Sequence, residues 1–428
     1  MKRLRRIYLL LGILAVVCLA TFGVMQLEEH KEKIQNSGEI ILSIPVDSVR
    51  SLSWEYEAET FAFHRDEKWI YDADEAFPVA EEEMDRLLEP FQKFEASFLI
   101  EEAEDLGQYG LEEPVCTIHL DTEEQSFEIL LGGYSSMDSQ RYVSIGDGNV
   151  YLVKNDPLDQ FDVAVSDLID HDEIPSFGET TGIQFAGAEN YSITYEEDSA
   201  DTYCAEDIYF INRDEKALPL AASRVEDYLR NLSRLNLTDY VTYNVTDEEL
   251  AAYGLDEPEL TVTVEYTPEA EDGGETSGTF VMNISRSPEA RAADRKTEGE
   301  DSGPEEEETA AYVRVGDSQI VYQISSDSYE DLMAVSYDSL RHPEVFSADT
   351  ADILGMDITL EDIVYTITSE EEDGKRIYCY QGKEVEMAGL KSSLQNLSAD
   401  GFTDEQPTQK EEIRAVIFLD NANFPEVL

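Results

Sequence analysis

A 16-residue segment that occurs twice constrains the fold of this chain more than any other feature. Residues Asp105–Leu120 (DLGQYGLEEPVCTIHL) recur 144 positions later as Glu249–Val264 (ELAAYGLDEPELTVTV). Both copies carry Leu-x-x-Tyr-Gly-Leu, an acidic residue and Glu-Pro, followed by the alternating residues typical of a strand. A second pair, Tyr142–Tyr151 and Tyr312–Tyr322, is offset by 170 positions. Such self-similarity indicates that one structural module is repeated along the chain.

The larger offset of the second pair places about 26 additional residues in the second copy. They lie in an acidic stretch between about Thr267 and Ala311 that contains EAEDGGETSG and KTEGEDSGPEEEETA. A segment of this composition buries too little apolar surface to become ordered. We therefore expect most of 267–311 to be a mobile loop inside the second module.

One amphipathic helix is predicted in each of three places, over Val79–Phe94, Leu220–Leu235 and Val385–Asp400. Spacings of four and three residues put three apolar side chains of each helix on one face. These trios are Met84, Leu88 and Phe91; Val225, Leu229 and Leu232; and Leu390, Leu394 and Leu397.

The predicted fold class is α+β: repeated modules of antiparallel strands with one amphipathic helix each, plus one N-terminal transmembrane helix. Module 1 spans 45–175 and module 2 spans 176–348. A partial module 3, 349–428, lacks the Tyr-Gly-Leu segment and is either a reduced capping unit or the end of a shortened reading frame. Strands are indicated by alternating or β-branched residues. The strand candidates include Val49–Tyr56, Thr60–His64, Trp69–Tyr71, Cys116–Asp121, Phe127–Leu131 and Val150–Val153.

We interpret the Tyr-Gly-Leu segment as a turn that ends a helix. If a short helix ends at Tyr109, Gly110 adopts the left-handed conformation and Leu106 and Leu111 become the hydrophobic partners of a Schellman ending. Pro114 then prevents the helix from resuming. The second copy repeats the arrangement with Leu250, Tyr253, Gly254, Leu255 and Pro258.

This interpretation accounts for every residue of the motif without a ligand, which leaves a binding role as the weaker alternative. In the second copy, Thr246 and Glu249 also have the spacing of a capping box, so a helix should begin there. Because alanine resists the left-handed conformation, Gly254→Ala should lower stability by about 1 kcal/mol.

The N-terminus predicts a membrane anchor. Ile7–Leu27 are 21 residues without a charge, close to the ~20 that cross the hydrocarbon layer as a helix. Four cationic residues lie in the tail 1–6 and two glutamates follow the span, so the tail should be cytoplasmic and everything after residue 27 extracytoplasmic. Residues 28–44 would form a juxtamembrane linker. We expect a single-pass protein of the cell membrane.

Two alternatives to an uncleaved anchor are a cleaved signal peptide and a lipidated Cys18. The apolar run is longer than a usual signal-peptide core and no small-x-small site follows it. Val17 stands before Cys18, where a lipoprotein would carry a small residue. Both alternatives are therefore less favoured than the anchor.

The net charge of −65 excludes several kinds of partner. Nucleic acid and anionic lipid surfaces would repel such a domain, and only weak, diffuse binding of divalent cations is expected. The remaining cysteines, Cys116, Cys204 and Cys379, form no metal-ligand or disulfide pattern. The five histidines are scattered, and nucleophile-elbow, P-loop and dinucleotide motifs are absent. We predict no catalytic, metal or cofactor site and no enzyme activity.

A membrane anchor followed by modules with Tyr-Gly-Leu-Asp-x-Pro resembles the bacterial proteins grouped as "domain of unknown function 4340". Tyr109–Pro114 and Tyr253–Pro258 carry the resemblance, which extends over most of the extracytoplasmic part. It implies an extracytoplasmic partner of ABC-type transporters related to gliding-motility or export systems, without catalytic residues or cofactors. The expected function is contact with a transporter subunit or an exported ligand. Two alternatives remain: a cell-envelope protein that binds glycan or peptide through an aromatic groove, and, less favoured, a hydrolase.

Overall fold

The computed structural model describes residues 38–428 except 102, 214–215, 269–276, 298–309, 373, 404–407 and 409. The predicted cytoplasmic tail, transmembrane helix and first part of the linker lie outside these residues. Within the described part, no helix combines the length and the apolar character that a membrane crossing requires. The chain divides into two compact units, of which the first ends at His171 and the second begins at Asp172.

The first unit is built on an eight-stranded antiparallel sheet with the order β4-β3-β2-β7-β8-β9-β10-β6, and β1 pairs with β5 beside it. β1 lies inside the predicted linker 28–44, whose last residues are therefore part of the folded unit. The strands are β1 (Glu39–Leu42), β2 (Val49–Tyr56), β3 (Glu59–Arg65), β4 (Trp69–Tyr71), β5 (Phe94–Ala96), β6 (Phe98–Ile100), β7 (Cys116–Thr122), β8 (Ser126–Ser135), β9 (Gln140–Ser144) and β10 (Val150–Val153). The helices are α1 (Glu81–Gln92) and α2 (Leu158–Phe161), with 3-10 turns at Val46–Ser48, Gly107–Tyr109 and Val165–Leu168.

Alternation along β2 and the apolar face of α1 produce the core of this unit. Met84, Leu88 and Phe91 of α1 are fully buried, as their spacing predicts. Trp54 of β2 packs against aromatic rings of β3 and lies with its ring centroid 5.4 Å from that of Phe161 in α2. α2 therefore closes the sheet face that α1 begins to cover.

The second unit contains a nine-stranded antiparallel sheet with the order β14-β13-β12-β11-β16-β17-β18-β19-β15. With β13 and β14 together in the place of β4, this is the strand order of the first unit. The strands are β11 (Glu179–Gly187), β12 (Asn190–Tyr195), β13 (Tyr209–Arg213), β14 (Lys216–Pro219), β15 (Tyr240–Thr242), β16 (Leu260–Thr267), β17 (Gly278–Arg286), β18 (Ala311–Val315) and β19 (Val321–Ile324). The helices are α3 (Ala222–Ser233), α4 (Asp247–Tyr253), α5 (Pro288–Thr297), α6 (Ser326–Met333) and α7 (Tyr337–Leu340).

A six-stranded antiparallel sheet completes the second unit, with the order β23-β22-β21-β20-β24-β25. Its order matches the run β14-β13-β12-β11-β16-β17 of the nine-stranded sheet, so module 3 uses the same plan. The elements are β20 (Ile353–Leu360), β21 (Ile363–Glu372), β22 (Lys375–Tyr380), β23 (Lys383–Glu384), α8 (Ala388–Gln395), β24 (Ile413–Leu419) and β25 (Glu426–Val427). The predicted α+β class with antiparallel strands is confirmed.

The predicted mobile loop over 267–311 is wrong for its described part. Gly278–Arg286 form the central strand β17, in which Phe280, Met282 and Ile284 are buried, and Pro288–Thr297 form α5. The segments 269–276 and 298–309 lie outside the described residues. The segments on both sides of β17 are rich in acidic residues and make the average composition of the stretch acidic. This average obscures the alternating apolar residues inside β17, which determine that it forms a strand.

The apolar trio predicted for the third helix is also partly wrong. α8 ends at Gln395, and Leu397 beyond it is 49% exposed. Leu390 and Leu394 are only partly buried, although they pack against the core of module 3. The corresponding trio Val225, Leu229 and Leu232 of α3 is buried as predicted.

Candidate functional site

The first Tyr-Gly-Leu segment forms a compact turn after a single 3-10 turn. Gly110 has φ +68° and ends the 3-10 helix Gly107–Tyr109. The N–H of Leu111 donates to the carbonyl of Leu106 at 3.0 Å, the long hydrogen bond of a Schellman ending. Leu111 is buried, and Pro114 stands two residues before β7.

The second copy ends a regular helix in the same way. Gly254 follows α4 with φ +72°, and the N–H of Leu255 donates to the carbonyl of Leu250 at 3.0 Å. Leu250 and Leu255 are buried in a small cluster against which Tyr253 packs, and Pro258 stands two residues before β16. All ten motif residues thus belong to two equivalent turns.

The start of α4 is held by the capping box expected from its sequence. The hydroxyl oxygen of Thr246 accepts from the N–H of Glu249 at 3.3 Å, and the Glu249 carboxylate accepts from the N–H of Thr246 at 2.9 Å. Two helix-start donors are satisfied reciprocally. The carboxylate's hydrogen bonds also lower the pKa of Glu249.

Replacing the cap residue should therefore destabilise the second unit. We expect Thr246→Ala to lower the free energy of unfolding by about 1 kcal/mol, measured by urea denaturation of the purified chain. Thr246→Ser keeps the accepting oxygen and should unfold at the urea concentration of the unchanged chain. Equal midpoints for the alanine variant and the unchanged chain would contradict the cap.

The two repeated sequence segments contact each other in both modules. The ring of Tyr109 lies 5.0 Å from the ring of Tyr142, and the ring of Tyr253 lies 5.0 Å from that of Tyr312. In each pair, one tyrosine comes from the Tyr-Gly-Leu turn and the other from the second repeated segment. Their joint recurrence is explained by this contact, since aromatic pairs stabilise a fold beyond the area that they bury.

The glycines of the turns lie directly against the sheet. A Cβ at Gly110 would stand 2.9 Å from the backbone nitrogen of Gly133 in β8, and one at Gly254 would stand closer than 3.0 Å to the carbonyl oxygen of Arg286 in β17. Glycine is therefore needed at both places for its conformation and for its lack of a side chain.

Partly buried ion pairs lie beside the turns. In module 1, Arg141 donates to Asp156 at 2.6 Å and to the carbonyl of Gly132 at 2.7 Å. In module 2, Arg286 donates to Glu259 at 2.9 Å. Burial opposes ionisation of Glu259, but the hydrogen bonds and charge of Arg286 outweigh it and lower the pKa of this carboxyl group. In each module, the two charges of the ion pair neutralise one another within the fold.

A set of ionisable side chains lies in the second unit, around Asp207. This carboxylate is only 1% exposed. It accepts hydrogen bonds from the backbone N–H of Tyr203 at 2.6 Å, the N–H of Cys204 at 3.1 Å and the Cys204 thiol at 3.3 Å. Nε2 of His342 lies 2.9 Å from the same carboxylate, and its Nδ1 lies 3.6 Å from Glu344.

The electrostatics of this cluster disfavour nucleophilic catalysis. Burial, followed by the charge of Asp207 and its hydrogen bond, raises the pKa of the Cys204 thiol to about 12. A cysteine nucleophile is favoured by a lowered pKa, whereas the negative charge of Asp207 disfavours the thiolate of Cys204. Burial opposes ionisation of Asp207, but the hydrogen bond from His342 and those from the backbone hold its pKa below the usual value. The described residues also include no group of three or more His, Cys, Asp or Glu side chains that could hold a metal ion.

The loop that carries Asp207 also holds the end of module 3. The side-chain amide of Asn421 donates to the carbonyl of Thr202 at 2.8 Å, and that of Asn423 donates to the carbonyl of Ala200 at 2.9 Å. The ring of Phe424 lies 4.6 Å from the ring of Tyr203. The cluster around Asp207 therefore stabilises the loop on which module 3 docks.

A cavity of about 290 Å³ opens beside this junction. It has charged, polar and apolar walls that come from modules 2 and 3. Its lining comprises Tyr203, Pro219, Tyr337, Arg341, His342, Glu344, Val345, Ser347, Ala348, Leu419, Asn421, Phe424, Glu426 and Val427.

Sequence reasoning did not find the cluster or the cavity. Asp207 and His342 are 135 positions apart, and Cys204 precedes Asp207 in a spacing that many loops share. The contacts arise only when the segments 200–207, 337–348 and 419–427 come together in the fold.

A comparison with protein families gives two matches to one family model, described as "Domain of unknown function (DUF4340)". They cover residues 69–258 and 212–415, and their starting points differ by nearly the same distance as the Tyr-Gly-Leu repeats. No curated protein and no solved structure matches the chain. Together the two matches extend over most of the chain, which therefore belongs to the DUF4340 family, whose domain has no established function.

Proposed function

We propose that the chain is a non-enzymatic, membrane-anchored extracytoplasmic scaffold or binding protein, and that it serves as an accessory component of an ABC-type transport or export system. The observation that carries the proposal is the recurrence of one strand order in modules 1 and 2, with part of the same order in module 3. Repeated modules of this kind supply several similar surfaces for contact with partners.

The use of the motif residues supports a contact function. Gly110 and Gly254 lie against strands, and Tyr109 and Tyr253 pack on tyrosines of their own modules. These residues have a role in folding, which accounts for the recurrence of the motif without a ligand.

The state of the buried ionisable groups also supports this view. Asp207, Glu259 and Asp156 each accept hydrogen bonds from a cationic or imidazole group of the fold. The Cys204 thiol has a raised pKa, unlike an activated nucleophile. In these arrangements the ionisable groups are engaged by partners within the fold, which supports a non-enzymatic function.

The sequence of the N-terminus supports placement at the membrane. The uncharged run Ile7–Leu27, with cationic residues before it, would hold the modules beside a membrane protein. Because the net charge of −65 repels anionic lipid, proximity would depend on this anchor.

The proposal predicts that the chain co-purifies with a transporter. The tagged full-length chain would be cross-linked mildly in its native membrane, solubilised and purified, and its partners identified by mass spectrometry. We expect an ATPase or permease subunit of a transporter to be recovered.

The matched control carries residues 1–37 fused to an unrelated soluble domain, so that it has the same anchor without the modules. A transporter subunit enriched with the full chain over this control supports the proposal. Recovery of the same proteins with both, or of no transport protein, would overturn it.

A further inference from the structure

We propose that the cavity lined by modules 2 and 3 binds a free α-amino acid with an apolar side chain. The proposal goes beyond the scaffold function. It does not rest on that function, because all residues that line the cavity belong to this chain and no transporter subunit is needed to form it. The groups that line the cavity include a guanidinium, two carboxylates and several apolar side chains, beside an imidazole and neutral polar groups. An apolar α-amino acid carries the complement of the guanidinium, the carboxylates and the apolar side chains.

The size of the cavity selects a small ligand. Its volume of about 290 Å³ is just below the range of about 300–1,000 Å³ usual for ligand sites. An amino acid such as leucine has suitable dimensions, whereas a folded partner or a long glycan would require an extended groove.

Arg341 offers the group that would receive the ligand carboxylate. Its guanidinium lies 4.1 Å from the ring centroid of Phe402 and 5.1 Å from that of Tyr337, so aromatic contacts fix its position. Within the described part of the chain its one ion pair is with Asp338, at 3.4 Å, and the side chain is 38% exposed. The planar guanidinium therefore keeps donors for a bidentate hydrogen bond to a carboxylate.

Glu344 and Glu426 provide the opposite charge for the ligand ammonium group. Both line the cavity, and the side chain of Glu344 is about half exposed. A purely anionic ligand would meet these two carboxylates, and a purely cationic ligand would meet Arg341. A zwitterion satisfies both signs at once.

The remaining wall is suited to an apolar side chain. Leu419 is buried in the core of module 3, and Phe424 and Val427 lie beside it in the lining. Val345 is exposed on the module 2 side of the cavity. Covering Val345 and the accessible parts of Phe424 and Val427 with an aliphatic side chain removes apolar surface from water and contributes to affinity.

The test is isothermal titration calorimetry on the purified full-length chain with three probes of similar shape. L-Leucine carries both charges, leucinamide lacks the carboxylate, and 4-methylpentanoate lacks the ammonium group. We expect leucine to bind and each half-charged probe to bind at least about 10-fold more weakly, since a charge-assisted hydrogen bond is lost in each.

Two variants and a control assign the binding to the cavity. Arg341→Gln should weaken leucine binding at least about 10-fold, and so should Glu426→Gln, an exposed residue whose replacement should leave the melting temperature unchanged. Arg414→Gln changes a guanidinium that pairs with Glu411 outside the cavity, and should bind leucine like the unchanged chain.

The proposal is overturned if leucine shows no binding at millimolar concentration, or if leucinamide or 4-methylpentanoate binds as tightly as leucine. Unchanged affinity in the folded Glu426→Gln variant would also overturn it. None of these results bears on the recovery of a transporter subunit, so the two proposals fail separately.

Discussion

Replacing Asp207 by alanine should lower the free energy of unfolding of the second unit by about 3–5 kcal/mol, because several buried hydrogen-bond donors are left without an acceptor, each at a cost of about 1–3 kcal/mol. Asp207 is almost fully buried and accepts from His342, the Cys204 thiol and two backbone N–H groups. All four donors lose their acceptor. The loop that binds Asn421 and Asn423 loses the hydrogen bonds that Asp207 makes within it.

The distribution of tryptophan allows the effect to be located. Both tryptophans, Trp54 and Trp69, lie in the first unit. Urea unfolding followed by tryptophan fluorescence reports the first unit, while far-ultraviolet circular dichroism reports both. We expect Asp207→Ala to move a circular dichroism transition to lower urea and to leave the fluorescence transition in place.

Asp198 supplies the matched control because it is an exposed aspartate in the loop that leads to the cluster. Asp198→Ala should change stability by less than about 0.5 kcal/mol. Equal effects of the two substitutions would show that Asp207 has no special role.

The ionisation of Asp207 also predicts how stability changes at low pH. The folded-state pKa of Asp207 is lowered, so its contribution is present above the unfolded pKa of about 3.9 and is lost as the pH falls below that value toward the folded pKa. The difference in stability between the unchanged chain and Asp207→Ala should therefore be full at pH 7 and narrower at pH 3. A difference that stays constant between these pH values would exclude the carboxylate charge as its cause.

Much of the fold could be predicted from local pattern. Val49–Tyr56, Trp69–Tyr71 and Val150–Val153 have the predicted bounds, because alternating or continuous apolar residues end sharply at turns. The composition of 267–311 does not predict β17, because the acidic residues on both sides of this strand dominate the average composition of the stretch. The sequence around Leu397 matches that around Leu232 and so predicts Leu397 on a helix. However, α8 ends at Gln395, before Leu397, whereas α3 includes Leu232.

The candidate site could not be predicted in the same way. A Schellman ending depends on residues within one turn of each other, so Leu106, Gly110 and Leu111 are sufficient to recognise it. The pairing of Asp207 with His342 depends instead on the arrangement of segments far apart in sequence. The cavity needs a third segment, and no local signal at Arg341 or Glu426 distinguishes them from other charged residues on the surface.

The contact of each Tyr-Gly-Leu turn with its sheet leads to the second large expected effect. Gly254→Ala should lower the free energy of unfolding of the second unit by about 2–4 kcal/mol, well above the 1 kcal/mol or so expected from conformation alone. The added Cβ meets the carbonyl oxygen of Arg286, which is part of β17, and the Oγ of Ser285 at 2.9 Å. Arg286 pairs with Ala311 of β18 and its N–H donates to Glu259 at 2.9 Å, so its carbonyl cannot move away without disturbing these contacts, and the strain remains in the folded state.

Gly316 separates the two causes because it shares the conformation without the crowding. It has φ +50° in the turn between β18 and β19, and a Cβ there meets nothing within 4 Å. Gly316→Ala should therefore cost only about 1 kcal/mol, the penalty for a left-handed alanine. Both variants would be unfolded in urea beside the unchanged chain. A larger loss of unfolding free energy for Gly254→Ala than for Gly316→Ala indicates that Gly254 is needed for close packing as well as for its conformation. Equal losses would show that only the left-handed conformation matters.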